Sequence, residues 1–263
     1  MLKIREIELV MAKAKSGSQS IKEEGYEIHK EAFSDEEFSA IKRAITEQYK
    51  ERIKELITCK EIQDHMNNEF PPALYHEIAH LIDHEKAWPK PERVLNEDFL
   101  RLFKETKYFK SLVSRYGRIE VTDEEYLGHG NIYWRIVRPE KERDIGKLHR
   151  DSWFWDIDTE QPLPNYKYKR IKVWIAINCE EGLNGFKLIE KSHLDEQVKW
   201  RVIEKDGRKK PVLDDIRYER ADLINTRNNT AILFDDKLIH GGALNRGKMT
   251  RVSIEFTGFV KDE

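Results

Sequence analysis

The periodicity of the sequence changes near Gly117, and this change limits the folds that the chain can adopt. After Gly117, short segments rich in β-branched and aromatic residues are bounded by Gly, Asn or Pro; they are 131–137, 170–178, 185–190, 230–234 and 251–260. Their spacing favours an all-β sandwich or barrel over strands that alternate with helices. The highly charged stretch 195–227 predicts an insertion or lid on this β core.

The residues before Gly117 follow a helical pattern instead. Ser34 precedes three acidic residues and predicts a helix start, because a hydroxyl caps free backbone N–H groups and acidic side chains favour the first turn. Apolar residues then recur at helical spacing, and two further helical patterns cover roughly 71–86 and 95–115. We therefore predict an α+β fold, mostly β with N-terminal helices. A helical layer (1–116) packs on a β core (117–263) within a single domain, 1–263.

The composition excludes several classes of protein. Lys and Arg (47) nearly balance Asp and Glu (49), whereas a dedicated nucleic-acid binder usually carries a basic excess. The two cysteines, Cys59 and Cys179, do not suffice for a disulfide framework, so we expect a reducing, cytoplasmic setting. Residues 1–15 are amphipathic rather than signal-like, and no run of about 18 apolar residues predicts a membrane span. The oligomeric state cannot be read from the sequence.

Three residues form a candidate metal site. His149 and Asp151 are an H-x-D pair after a predicted strand, where side chains at i and i+2 point to the same side. His240 follows the strand 230–234 and precedes two glycines, which let the backbone approach a site closely. Two His and one carboxylate on one face of an ion leave positions open, as in Fe(II) oxygenases.

A candidate anion site follows on the last strand. Arg251 lies eleven residues after His240, and a guanidinium is a bidentate partner for a carboxylate. Beside a metal it would hold the far carboxylate of a 2-oxo acid that chelates the iron. Ser253 lies two residues further, faces the same way and could hydrogen-bond that carboxylate.

Several neighbouring residues are weaker candidates. Tyr133 and Arg135 share one face of the strand before the H-x-D. We expect them either to contact substrate or cosubstrate or to lie at a partly exposed edge of the sheet. Trp174 is a further candidate cofactor contact, although a strand tryptophan is more often core. Arg150, Trp153 and Asn184 complete the candidate substrate contacts, with a turn as the alternative role of Asn184. The basic residues between 205 and 210 add to a hint of a polar or anionic metabolite.

A rival motif lies in the N-terminal half. Residues 76–80 read HEIAH, the H-E-x-x-H pattern of zinc peptidases, in which two His one turn apart bind zinc and Glu77 activates a water. No G-x-x-H continuation follows, and Glu97 or Glu105 is only a conceivable third ligand. A zinc metallohydrolase is therefore the alternative hypothesis, and a packing helix the simpler interpretation.

The ordered elements LHRDSWFWD, EEGLNGFKLIEKSHL and FDDKLIHGGALNRGKMTRVS resemble the phytanoyl-CoA dioxygenase family of Fe(II)/2-oxoglutarate oxygenases. The resemblance covers roughly 130–260. It implies a double-stranded β-helix (jelly-roll) core, iron on His149, Asp151 and His240, and 2-oxoglutarate on Arg251. It also implies that Trp155 lines the substrate pocket.

The reaction that the resemblance implies is a dioxygenase reaction with O2, iron and 2-oxoglutarate. A small-molecule substrate is hydroxylated at an unactivated C–H bond, with succinate and CO2 as co-products. Two turns depart from the family pattern, at Glu190-Lys191 and Asn228-Asn229, and they put loop geometry and substrate in doubt rather than the metal. A jelly-roll binding protein that has lost activity remains a further alternative.

Overall fold

The computed structural model describes residues 20–57, 60, 70–158, 163–205 and 208–262. The expectations for residues 1–15, for Cys59 and for part of the basic segment 205–210 lie outside the described residues. The described chain combines short helices with antiparallel sheets. None of its helices is long and apolar enough to cross a membrane.

The first helix, α1 (Asp35–Leu56), begins where the sequence predicts it. The Ser34 hydroxyl accepts a hydrogen bond from the Glu37 N–H, and the Glu37 carboxylate accepts one from the Ser34 N–H. This reciprocal capping box satisfies two backbone donors that the helix itself leaves free. One face of α1 is buried, with residues four apart: Ile41, Ile45, Tyr49 and Ile53.

The remaining N-terminal helices are shorter than predicted. The prediction of one helix over 71–86 is wrong, because extended backbone at Ile82 (φ −129°, ψ 135°) interrupts it. The segment contains α2 (Tyr75–Ile78), α3 (His84–Ala87) and two 3-10 turns. The pattern over 95–115 forms α4 (Glu97–Glu105) and α5 (Lys107–Tyr116), because Thr106 leaves the helical conformation and caps α5 with its side chain.

Two antiparallel sheets form the β core. The larger has the order β1-β9-β4-β11-β2, with β3 also paired to β11; the strands are β1 (Tyr26–Lys30), β2 (Ile119–Val121), β3 (Tyr133–Val137), β4 (Tyr168–Asn178), β9 (Thr230–Asp235) and β11 (Arg251–Lys261). The smaller has the order β10-β5-β8, with β5 (Phe186–Leu188), β8 (Asp222–Leu223) and β10 (His240–Gly242). All five predicted strands are present, as β3, β4, β5, β9 and β11.

The charged insertion contains a hairpin of β6 (Trp200–Lys205) and β7 (Arg208–Leu213). It packs on α6 (Ser152–Ile157), where Trp200 stacks on Trp153 with ring centroids 5.3 Å apart. The Leu213 N–H also donates to the Leu148 carbonyl at 3.2 Å. The hairpin is therefore fixed beside the segment that carries the H-x-D.

The larger sheet separates two apolar layers. Side chains along its strands point alternately to the two faces of the sheet. Those on one face, among them Val173 and Ile254, pack against α1, α4 and α5. The opposite face carries Trp174 and Phe234, which pack against Phe186 and Leu188 of the smaller sheet. The space between the two sheets, where this inner face of the larger sheet points, contains the candidate site.

Candidate metal and cosubstrate site

The two histidines of the predicted triad are joined through their main chains. The His149 N–H donates to the His240 carbonyl at 3.0 Å, and the His240 N–H donates to the His149 carbonyl at 2.9 Å. His240 also pairs with Leu188 through β10 and β5. Gly241 follows directly, and a Cβ there would lie 3.3 Å from a Leu148 methyl carbon, so the glycine permits the close strand approach.

Backbone carbonyls orient both imidazole rings. His149 Nδ1 lies 2.7 Å from the Lys147 carbonyl, and His240 Nδ1 lies 2.9 Å from the Leu238 carbonyl. A carbonyl only accepts, so each Nδ1 carries the proton and each Nε2 offers its lone pair. The Nε2 atoms point to Asp151, at 3.5 Å (His149 to Oδ1) and 3.4 Å (His240 to Oδ2).

Asp151 comes from a turn and not from a strand. The expectation that the H-x-D is extended is wrong, because Asp151 has φ −67° and ψ −32° and immediately precedes α6. Burial alone would raise the pKa of its carboxyl, but Lys172 and the two histidines outweigh burial and hold that pKa well below 3.8. Burial lowers the pKa of His240 to about 4. At neutral pH, Asp151 is a carboxylate and His240 a neutral imidazole, the forms that bind metal.

The triad fits a first-row metal ion. One donor atom from each of His149, Asp151 and His240 lies within 4.8 Å of the others, and this is the only such His, Cys, Asp and Glu group among the described residues. Metal bonds of about 2.0–2.2 Å place neighbouring donors about 3 Å apart, close to the distances between these atoms. Two imidazoles and a carboxylate on one side of an ion suit Fe(II) with open positions.

Arg251 and Ser253 provide the second half of the site. Arg251 is buried, and its Nη1 donates to the Gly185 carbonyl at 2.6 Å. Its Nε and the Ser253 hydroxyl are buried without a hydrogen-bond partner among the described residues. Burial lowers the pKa of Arg251. A buried guanidinium and hydroxyl on one strand face, both with unused hydrogen-bonding capacity, fit the carboxylate of a 2-oxo acid.

The comparison with protein families identifies the family of this chain. The family described as phytanoyl-CoA dioxygenase (PhyH) matches residues 21–253. The chain belongs to this family. Its members use Fe(II), 2-oxoglutarate and O2. The comparison with curated protein sequences finds no match.

Solved structures of non-haem oxygenases have a similar fold. The α-ketoglutarate-dependent carbocyclase SnoK from nogalamycin biosynthesis is 12% identical with a TM-score of 0.54, over 94% of this chain and 83% of that one. The non-haem monooxygenase ThoJ is 11% identical with a TM-score of 0.55, over 92% and 76%. EctD from S. alaskensis, with 2-oxoglutarate and 5-hydroxyectoine, is 14% identical with a TM-score of 0.54, over 92% and 74%. These likenesses show the fold alone.

In this oxygenase, charged side chains follow Arg251 and Ser253 along the inner face of β11. Glu255 accepts a hydrogen bond of 2.7 Å from Arg135 Nε on β3. Thr257 accepts one of 2.8 Å from Lys172 on β4. Burial alone would raise the pKa of Glu255, but Arg135 and Lys172 lower it to about 2. The sequence interpretation missed Lys172 and Glu255. A lysine within the apolar strand 171–177 and a glutamate within RVSIEF each indicate a charged side chain on the inner face of the sheet.

Two candidate contacts, Arg135 and Tyr133, do lie on this inner face. The Arg135 side chain is 40% exposed. Tyr133 is buried and lies beneath the Lys90 ammonium, 4.8 Å from its ring centroid. Trp174 is also buried on the inner face, against Phe186.

The other candidate substrate contacts have structural partners outside the triad. Arg150 donates to the carbonyls of Ser192 and Asp195, which fixes the turn beside it. Trp153 stacks on the hairpin, and Trp155 packs 5.4 Å from the Phe259 ring. Asn184 hydrogen-bonds Asn245 and the Glu180 N–H within its turn. Substrate contact by these four residues stays a prediction that none of these interactions supports.

The HEIAH segment does not form the metal-binding helix that the zinc alternative requires. It passes from α2 into a 3-10 turn at Ala79, and His80 is exposed. His76 Nδ1 lies 3.1 Å from the Thr250 hydroxyl, which also accepts the His76 N–H. Its histidines belong to no candidate metal group of the described residues. The zinc hypothesis therefore has no geometric support.

Proposed function

We propose that the chain is an Fe(II)- and 2-oxoglutarate-dependent dioxygenase that hydroxylates an unactivated C–H bond of a small, polar or anionic metabolite. One observation carries the proposal: the His149–Asp151–His240 cluster and the buried, unsatisfied Arg251 and Ser253 belong to the same inter-sheet space. The two antiparallel sheets that enclose this space are consistent with a double-stranded β-helix core within a single domain, 1–263.

Each residue has a defined part in this proposal. His149, Asp151 and His240 bind the ion from one side and leave the other side open. Arg251 and Ser253 hold the distant carboxylate of 2-oxoglutarate and thereby orient it. Bound iron, 2-oxoglutarate and O2 supply the oxidising chemistry, with succinate and CO2 as co-products. Phe154, which is 39% exposed, places its ring 5.4 Å from that of His149 at the solvent side of the triad.

The inner-face charges support a polar substrate. Arg135, Lys172 and Glu255 are fixed within the inter-sheet space, and an apolar chain placed against them would strip their remaining hydration without compensation. A metabolite with charged or hydroxyl groups can hydrogen-bond Arg135 and Glu255 instead. Hydroxylation is the default outcome for such a site; a carbocyclase among the structures of similar fold makes another oxidation the alternative. The low cysteine content supports a cytoplasmic location.

An anaerobic titration tests the proposal. Protein with Fe(II) and 2-oxoglutarate should develop the weak visible absorption band of the metal-bound 2-oxo acid. Exposure to O2 should then convert 2-oxoglutarate slowly to succinate even without substrate. His149→Ala should abolish both signals. Wild-type protein that shows neither the band nor succinate contradicts the proposal.

A further inference from the structure

We propose that Lys172 is a positioning residue of the metal centre, which holds one carboxylate oxygen of Asp151 so that the other is offered to the ion. Its Nζ lies 3.3 Å from Asp151 Oδ2. The inference rests on the proposed function, because it assigns Lys172 a part in that same metal site.

The ammonium group is fixed from several elements. Nζ donates to the Thr257 hydroxyl at 2.8 Å, and that hydroxyl donates to Glu124 Oε1 at 2.9 Å. Glu124 in turn is paired with Lys90, 3.1 Å away. The ammonium thus donates one hydrogen bond to Thr257 on β11 and forms an ion pair with Asp151, so the hydrogen bond keeps the lysine in place if the carboxylate rotates.

Charge pairing assigns Lys172 to Asp151 rather than to the other acids nearby. Glu255 has Arg135, and Glu124 has Lys90. Among the described residues, Asp151 has no Lys or Arg partner within ion-pair distance other than Lys172. The lysine is buried, and an ammonium buried at this depth needs a paired carboxylate to offset its lost hydration.

The consequence concerns the number of ligand atoms that Asp151 supplies. A carboxylate can bind an ion through one oxygen or through both, and binding through both uses one of the positions that the triad leaves open. With Oδ2 in an ion pair with Lys172, Asp151 would offer the ion one oxygen only. Groups that hydrogen-bond a metal ligand commonly determine its orientation in this way.

A purely structural role makes a different prediction. If Lys172 only neutralised buried acids, its loss would lower stability and leave the ligand set of the ion unchanged. A spectroscopic signature of the metal separates the two roles. Co(II) is suitable because its visible bands report coordination number and geometry and because the Co(II) protein is not expected to turn over.

The experiment is an anaerobic Co(II) titration followed by a 2-oxoglutarate titration. The variants are Lys172→Met, Lys172→Arg and the matched control Lys169→Met, which removes an exposed lysine from the same strand. Lys172→Met should alter the visible Co(II) spectrum and weaken 2-oxoglutarate binding by about 10–100-fold. Lys172→Arg should restore most of both, and Lys169→Met should match wild type.

An unchanged Co(II) spectrum and unchanged 2-oxoglutarate affinity in Lys172→Met overturn the inference, even if that variant melts at a lower temperature. Should Lys172→Met not fold, Thr257→Val removes the hydroxyl that fixes the ammonium, and an unshifted spectrum in that variant also overturns it. Failure of the proposed function looks different: wild-type protein would bind no Co(II), or would bind it equally well after His149→Ala.

Discussion

His149 and His240 are joined by a closed pair of main-chain hydrogen bonds, 3.0 and 2.9 Å long, which holds their imidazole centroids 4.6 Å apart. Backbone carbonyls, rather than other side chains, also fix the orientations of the two rings. The metal-binding geometry is therefore a property of the backbone fold. Loss of either imidazole should remove a ligand without removing the connection that holds the site.

The first prediction follows from this independence. His240→Ala should lower metal affinity at least about 100-fold, because one of three protein ligands is lost while the His149–His240 bridge persists. Isothermal titration with Ni(II) measures the affinity. His80→Ala is the matched control, since His80 is an exposed histidine of the HEIAH motif. Loss of metal binding in His80→Ala with retention in His240→Ala would favour the zinc alternative.

The second prediction concerns the cosubstrate. Arg251→Lys keeps a positive charge but loses the planar two-donor geometry, and Arg251→Ala loses both. A charged hydrogen bond contributes about 1.5–3 kcal/mol, so Arg251→Ala should weaken 2-oxoglutarate binding about 10–150-fold, and Arg251→Lys less. Titration of the Fe(II) complex at its visible band gives the constants. Arg227→Ala, at an exposed arginine, should bind like wild type; equal affinity in all of these proteins would remove Arg251 from the cosubstrate site.

The sequence predicted the strands better than the helices. Strand β4 has β-branched residues at every second position from Ile171 to Ile177, β11 begins with the same alternation at Val252 and Ile254, and tertiary packing agrees with that local preference. The segment 71–86 has helical periodicity, but Pro71 and Pro72 remove N–H donors at its start and Ile82 adopts extended backbone. The local sequence pattern does not reveal such an interruption, because packing against the rest of the fold determines where the helix ends.

Within the candidate site, spacing predicted which side chains lie together but not which groups support them. The Lys147 and Leu238 carbonyls orient the imidazoles, and carbonyls carry no signature in the residue sequence. The partnership of Lys172 with Asp151 depends on how β4 approaches the start of α6, which spacing alone does not determine. The roles of Arg150 and Asn184 as turn supports likewise depend on tertiary contacts with Ser192 and Asn245.

The third prediction tests a backbone contact behind Arg251. Gly185 has φ +126°, and a Cβ there would lie 2.3 Å from the Thr226 hydroxyl oxygen. Because its carbonyl holds Arg251, Gly185→Ala should both destabilise the protein, by about 1–3 kcal/mol, and weaken 2-oxoglutarate binding. Gly182→Ala is the control: its φ is also positive, at +75°, but the atom nearest to a Cβ there is the Asn225 side-chain oxygen at 3.9 Å. Chemical denaturation and the 2-oxoglutarate titration measure the two effects; a destabilised Gly185→Ala with normal cosubstrate affinity would separate Gly185 from the site.

The fourth prediction concerns pH and His84. Its Nδ1 lies 3.1 Å from the Tyr75 hydroxyl, and its Nε2 lies 3.6 Å from Asp144 Oδ1. Burial lowers the pKa of His84 to about 4; Asp144 opposes this shift, and Arg138, Arg93 and Arg143 add to it. Between pH 6.5 and 4 the unfolded chain therefore binds a proton at this site that the folded protein does not, so acidification through this window favours unfolding.

His84→Gln removes the imidazole that binds this proton and keeps a polar side chain of similar length. The free energy of unfolding of the metal-free protein, measured by urea denaturation, should fall more steeply in wild type than in His84→Gln as the pH is lowered from 6.5 to 4. The extra loss should reach about 1–2 kcal/mol, less than a full conversion of the pKa shift because part of the ring is hydrated. His240 contributes equally to both proteins, so the difference isolates His84. Parallel stability curves would mean that the folded protein accommodates a protonated His84, with Asp144 as its counter-ion.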